Sequence, residues 1–427
     1  METVTKKLLM TMLAAAVVLS AIPANASEID ILVEKLVAKG VLTHGEAQQV
    51  LTETREEVRR QVAAGESESL PKWVQTFKLG GDLRLRYQWE AQDSKPENGG
   101  SVTEDDRERV RIRMRLGAEA KVNDQMKAAV GLASGSSDPR STNQTLQDQF
   151  SSKSVMLDYA YATWNPADWF EARGGKIIGK EVLWMADDLL WDSDVNPEGA
   201  AAHFSYDAAD NISLFANAGW LILDETDGSP KAADPSMYFV QPGVEWSFMD
   251  GWKLKGALNA YGFSSFKGRN ATFDNWGGTN TRENNAYTYD YDSFGTTVEI
   301  AGEEPFGGLV NYVSVFADYI NNPDAGSDDT GWLLGFKFGD KKVTKFGQWQ
   351  AKYQYRRLER DAWVDFLPDS DVLGGCTNVK SHEIILEYGL AKNLTLGIDY
   401  YNSKDIKYLS SAKRDEDLIQ VDLLWKF

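Results

Sequence analysis

Residues 106–122 read DRERVRIRMRLGAEAKV, from Asp106 to Val122. Arg107, Arg109, Arg111, Arg113 and Arg115 alternate with Val110, Ile112, Met114, Leu116, Ala118 and Ala120. Successive strand side chains point to opposite faces, so this stretch has one cationic surface and one apolar surface. A helix would scatter the same arginines around its axis. A soluble sheet with its arginines in water has the same alternation. The remainder of the chain favours a barrel whose apolar face meets lipid and whose arginines line a water-filled lumen.

The 427-residue chain has a formal charge of -19, which disfavours nucleic acid as a partner because phosphate binding needs clustered cations. After the leader there is no run of about 20 apolar residues, the length a membrane helix requires. A barrel has no such requirement, since its strands show only weak alternating signals. Cys376 is the single cysteine, so there is no intramolecular disulfide and no cysteine metal cluster.

Residues 1–26 have the form of a secretory signal peptide: Lys6 and Lys7, an apolar core from Leu8 to Ile22, and Ala24-Asn25-Ala26 before the expected cleavage. Residues 27–71 differ in kind. Ile31, Leu32 and Leu36 fit a short helix stopped by Gly40, and Thr43 with Glu46 has capping-box form. Ala47, Leu51, Thr54, Val58 and Gln61 then make a thin stripe, expected as a periplasmic helical or coiled-coil segment or as a loosely docked arm.

Residues 72–427 follow a period of two, punctuated by turns. Phe77, Leu79, Leu83, Leu85, Tyr87 and Trp89 alternate with Lys78, Asp82, Arg84, Arg86, Gln88 and Glu90. Short turns fall at 123–124, 165–168, 208–211, 249–251, 302–308, 339–347 and 391–393, and polar loops at 92–105, 135–152, 180–198, 222–235, 264–290, 321–329, 359–378 and 402–416. Their strict alternation predicts an all-β, antiparallel transmembrane barrel of about 16 strands, with every long loop at one end. Trp89, Trp164, Trp246, Trp332, Trp349, Tyr353 and Trp425 supply an aromatic belt. Ile419, Val421, Leu423, Trp425 and Phe427 alternate to the last residue, similar to the closing strand of bacterial outer-membrane barrels.

The leader, LVEKLVAKGVLTHGEAQQVL, the hairpin GDLRLRYQWE with RERVRIRMRLGAEAKV, the unit LDYAYATWNP with FEARGGKIIGK, and the terminal Trp-Lys-Phe together resemble the putative porin family of bacterial outer membranes. A weaker similarity is to phosphate-selective porins. The resemblance implies an outer-membrane barrel, usually a homotrimer, through which small hydrophilic solutes and ions diffuse. No enzyme activity and no cofactor are expected.

The candidate pore-lining bases are Arg84, Arg86, Arg109, Arg111, Arg113 and Arg115. Packed so densely, they repel one another unless water, anions or carboxylates compensate. One expectation is a basic ladder for phosphate-like anions. The favoured one is a mixed field, with the arginines balanced by lumenal acids such as Asp82, Glu90, Glu383, Asp399 and Asp422. The loop from Glu181 to Glu198 follows the fifth strand, where porins fold a loop into the pore, and its Asp187, Asp188, Asp192 and Asp194 are expected to face the arginines. Asp192-x-Asp194-x-Asn196 opens like a calcium loop, but Pro197 stands where glycine is needed, so no metal is assigned. His203-x-Ser205 resembles the pair of an outer-membrane phospholipase, with no asparagine partner evident, and reads as lumen lining. His382-Glu383 lacks the second histidine of a zinc protease helix.

Overall fold

The structure is a computed structural model. It describes Thr43, Gly45, Ala47 and Thr52, and residues 76–427 apart from 99, 226–232, 271–277, 307–309 and 411. The chain divides into two units, Met1–Lys72 and Trp73–Phe427. In the first, the Ala47 N–H donates to the Thr43 carbonyl at 3.0 Å, a single helical turn. The expected signal peptide, the expected short helix through Ile31, Leu32 and Leu36, Glu46 of the expected capping box and the rest of the stripe lie outside the described residues.

In the second unit, 17 strands form one closed antiparallel sheet, of which one is the two-residue piece Gln144–Thr145 laid against Arg111 and Ile112. The other sixteen are the staves of a barrel. The first eight are β1 (Thr76–Pro96), β2 (Thr103–Lys121), β3 (Met126–Ser134), β4 (Val155–Ala167), β5 (Phe170–Lys176), β6 (Glu198–Ala209), β7 (Ile212–Ile222) and β8 (Ser236–Met249). The rest are β9 (Trp252–Ser264), β10 (Phe294–Glu303), β11 (Tyr312–Asn321), β12 (Thr330–Gly339), β13 (Trp349–Leu358), β14 (Val379–Ala391), β15 (Leu394–Asp405) and β16 (Ala412–Lys426). Each pairs with its neighbours in sequence, and β16 closes on β1 from Asp82↔Lys426 to Pro96↔Ala412. Closure leaves no sheet edge unpaired in lipid, where an unmade backbone hydrogen bond is costly. The terminal Phe427 completes the seam by exchanging backbone bonds of 2.9 and 3.0 Å with Gly81.

The expected count of sixteen and the expected rhythm of turns and loops are both present. Two loops are shorter than their polarity suggests. The stretches 92–105 and 402–416 are largely strand, and the hairpin ends of β1, β2, β15 and β16 stand beyond the apolar belt as a charged ladder. Gln92 bonds Glu416 at 3.1 Å and Lys404 pairs with Asp415 at 3.2 Å. Outside the membrane a paired strand needs no apolar face, so polarity alone does not mark its end.

The outer face carries the apolar residues of the alternation, including Leu79, Leu83, Met114, Leu116, Val130, Trp164, Trp246, Trp332 and Phe336. The inner face is not uniformly polar. On β7 to β13, towards the long-loop rim, Leu221, Met237, Phe239, Tyr261, Phe316, Ile320, Leu333 and Leu358 point inwards and are buried. They pack against three loops folded into the barrel, at 177–197, at 265–270 with 278–293, and at 359–378, which contribute Ile177, Leu189, Trp191, Phe266, Tyr291, Trp363, Leu367 and Val372. The barrel therefore has a hydrophobic core inside it, on one side of the lumen.

Candidate functional site

The loop 177–197 enters the barrel and is held at both ends. Trp184 exchanges bonds with Gln241, 2.8 Å from its N–H and 2.7 Å to its carbonyl. Gln241 itself belongs to a polar ladder across four strands: Asn217 donates to Gln241 at 2.7 Å, Gln241 to Asn259 at 2.6 Å, and Asn259 to Thr297 at 3.1 Å. Further along, the Trp363 indole N–H donates to the Leu190 carbonyl at 2.8 Å, and the Asp192 N–H to the Leu367 carbonyl at 2.7 Å. The loops 177–197 and 359–378 thus form one body inside the barrel. The stretch 278–293 joins it through Asp365, whose carboxylate accepts the N–H groups of Gly278, Thr279 and Asn280 at 2.6 to 2.8 Å.

The four loop acids do not share one destination. Asp194 faces the arginine wall and bonds Arg115 at 2.5 Å. Asp192 turns to backbone, accepting from Asp194 and Ser370 at 2.8 Å each. Asp187 and Asp188 reach the opposite wall. Asp187 pairs with Lys352 at 3.1 Å and Lys337 at 3.6 Å, and Asp188 with Arg356. Burial opposes the charge of Asp187, but Lys352 and Lys337 outweigh it and hold the carboxyl below the usual range. Burial pushes the Asp188 carboxyl up to about 7 against the pull of Arg356, with Asp187 and Glu383 adding repulsion.

The six arginines line the inner face of β1 and β2, and Arg84 stands opposite Arg113, Arg86 opposite Arg111. Like charges directly opposite one another destabilise a sheet, so carboxylates are drawn in. Arg86 bonds Asp422 at 2.7 Å through two nitrogens, Arg109 bonds Glu90 at 2.8 Å, and Arg113 bonds Asp82 at 2.8 Å. Arg84 comes within 3.3 Å of Asp422 and donates to Asn143 at 2.9 Å. Arg111 has no carboxylate partner among the described residues and bonds Gln88 at 3.1 Å.

Three cavities succeed one another along this wall. The first, about 470 Å³, lies at the short-turn rim by Lys78, Asp82, Arg115 and Glu119. Tyr159 shapes it by lying over Gly117 and Gly131, where a methyl group would come within 2.1 Å of its ring or hydroxyl. The second, about 180 Å³, lies between Arg84, Arg86, Arg113 and Arg140 on one side and Asp188, Asp369, Glu383 and Asp399 on the other. The third, about 210 Å³, is towards the long-loop rim by Gln88, Arg109, Arg111 and Glu416, and shares Ser370 and Asp371 with the second. Asp371 bridges to Arg86 at 3.3 Å from the loop side.

Asp369, Asp371, Arg140 and Arg356 are absent from the sequence-derived site. For Asp369 and Asp371 the visible signal is the composition of loop 359–378, where Trp363, Val364, Phe366, Leu367, Val372 and Leu373 are too apolar for a loop in water. Asp188, Asp369 and Glu383 offer oxygens within 4.8 Å of one another. Arg356 sits among them, donating to Asp188 and, at 3.0 Å, to Glu383, so a guanidinium takes the position a metal would need. His203 does have an asparagine partner, Asn217, at 2.6 Å on the next strand, a pairing hidden from local sequence. No hydrogen bond joins Ser205 to His203 among the described residues, and Asn217 is also part of the ladder under Trp184.

A match to the family described as Putative porin covers residues 47–308 and 288–427. The chain belongs to this porin family. Among solved structures, this porin is similar to a triple mutant of the Rhodopseudomonas blastica porin, at 11% identity and TM-score 0.44, over 82% of this chain and 100% of that one. A five-substitution mutant of the same porin matches at 12% and 0.43, with the same coverage. No curated protein matches the chain. The family is one of channel proteins, and the chain's own strands close into a barrel.

Proposed function

We propose that this porin passes small hydrophilic solutes and ions across the bacterial outer membrane along the β1–β2 wall, through the narrow second cavity. The observation that carries the reading is the segregation of charge there, with guanidinium groups from Arg84, Arg86 and Arg113 against carboxylates of loops 177–197 and 359–378 and of β14 and β15. A low-dielectric wall focuses such a field across the path. Five of the six arginines have a carboxylate within ion-pair distance, which supports a mixed field over a phosphate-selective ladder. Planar-bilayer conductance with reversal potentials in a salt gradient tests the reading. A folded barrel that carries no current would overturn it.

The partner proposed is two further copies, giving a homotrimer. Small residues run in register round the outer face: Ala120↔Ala128, Ala128↔Ala162, Ala162↔Gly174, Gly174↔Ala200, and Ala172↔Ala202↔Ala218. Small side chains let backbones approach closely in lipid, where packing rather than the hydrophobic effect drives association. Leucine placed at Ala162 and Ala202 should yield monomers on semi-native gels, while trimers of unchanged stability would exclude this face. The leader at 1–26 is proposed to direct export, and the segment 27–71 to lie in the periplasm.

A further inference from the structure

Within this porin reading, we infer that the second cavity is a binding site for a small zwitterion, an amino acid held with its carboxylate towards Arg84 and its ammonium towards Asp369. The cavity, about 180 Å³, suits a solute of a few heavy atoms and is too small for an oligosaccharide.

The charges around it are unequally satisfied. On the basic side, Asp422 already accepts both bonds of Arg86 at 2.7 Å. Arg113 is committed to Asp82 at 2.8 Å. Arg84 has the neutral Asn143 oxygen at 2.9 Å and only shares the Asp422 Oδ2 that Arg86 already uses, at 3.3 Å, and its Nε is buried with no acceptor. On the acidic side, Arg356 donates to Asp188 and Glu383, and only approaches Asp369, at 3.5 Å. The Oδ2 atom of Asp369 accepts no hydrogen bond although the residue is 6% exposed. One chamber therefore holds a guanidinium short of an acceptor and a carboxylate short of a donor. A buried polar atom without a partner forfeits the free energy of a hydrogen bond, so a ligand that supplies one is favoured.

A simple ion corrects one side only. An anion at Arg84 lies close to the carboxylates of Asp188, Asp192, Asp194 and Asp371, which line the same chamber. A cation at Asp369 leaves Arg84 as it was and meets Arg356 among the same acids. A molecule with a carboxylate at one end and an ammonium at the other satisfies both without adding net charge. Burial and the neighbouring Asp188 raise the Asp369 carboxyl above its ordinary range, the condition that an ammonium would relieve.

The test uses the full-length protein in detergent, titrated calorimetrically with L-serine, and with L-lactate, ethanolamine and glycerol as its anionic, cationic and neutral counterparts. Serine should bind at least about tenfold more tightly than each of the three. Arg84→Gln and Asp369→Asn should each weaken serine by about tenfold, and Arg84→Lys should restore much of the loss. Lys341→Gln, at a short turn, is the control. Heat-modifiability shows whether each variant is folded. Binding of ethanolamine or lactate as tight as that of serine, or serine binding unaffected in both folded variants, would overturn the proposal. Bilayer recording separates this from the porin reading: a barrel that binds serine but carries no current overturns the channel alone, and one that conducts but binds no serine overturns the site alone.

Discussion

Asp422 on β16 accepts two parallel hydrogen bonds of 2.7 Å from Arg86 on β1, directly across the seam that closes the barrel. The pair is nearly removed from solvent, with Arg86 3% exposed. A bidentate guanidinium–carboxylate pair is geometrically demanding, and removing one partner of a buried pair costs about 3–5 kcal/mol because it strands the other charge. Arg86→Ala should therefore lower the temperature at which the barrel shifts to its unfolded gel mobility, and more than Arg109→Ala, whose partner Glu90 is partly exposed. Equal shifts for the two would show that the seam pair has no special weight.

Deleting Trp425–Phe427 should block assembly. Phe427 and Gly81 exchange the last two backbone bonds of the seam, and Trp425 stands opposite Leu83. Without them the end of β1 is left open in lipid. Normal membrane insertion of the truncated chain would contradict this role.

Trp363 should act as the pin of the internal body. It is fully buried, donates to Leu190, and meets the Tyr261 ring at 4.7 Å between centroids. Trp363→Ala removes about 3–5 kcal/mol of packing. Single-channel conductance should rise and become noisy as loops 177–197 and 359–378 loosen. Quiet currents of unchanged size would argue that the loops are held elsewhere.

Replacing Arg109, Arg111 and Arg113 with Gln should shift the reversal potential towards cation preference, and replacing Asp187, Asp188 and Asp192 with Asn should shift it the other way. The first set borders the path directly. In the second, Asp187 and Asp188 are paired on the opposite wall and Asp192 accepts from backbone, so its effect should be the smaller. A folded arginine variant with an unchanged reversal potential would make those arginines structural only.

The pH dependence should follow Asp188, which burial raises from 3.8 to about 7. Below that value the group is neutral, and above it a negative charge appears beside the chamber, so cation preference should climb between about pH 6 and 8. Because the folded state keeps a proton that the unfolded state has lost, this group's contribution to stability falls as pH rises from near 4 to near 7. Asp188→Asn should flatten the selectivity step. A step that survives in Asp188→Asn would assign it to another group.

How much was legible in advance follows from the range of each interaction. Alternation is local: a residue and its neighbour two positions on share a face, so Arg109, Arg111 and Arg113 declared an inner wall, and the apolar residues between them a lipid face, without any partner being known. Closure, strand number and the placing of long loops at one rim came from the same local rhythm. The sequence alone also marked loop 181–198 as unusual. What it could not carry is pairing over long separations. That Arg86 would be met by Asp422, Asp187 by Lys352 and Asn217 by His203 depends on which strands the closed cylinder brings side by side. The apolar inner faces of Leu221, Leu333 and Leu358 were equally unreadable, because alternation tells inside from outside but not whether the inside is water or packed chain. Three loops folding back into the barrel decided that, and by filling one side of the lumen they left the arginine wall beside the cavities that remain.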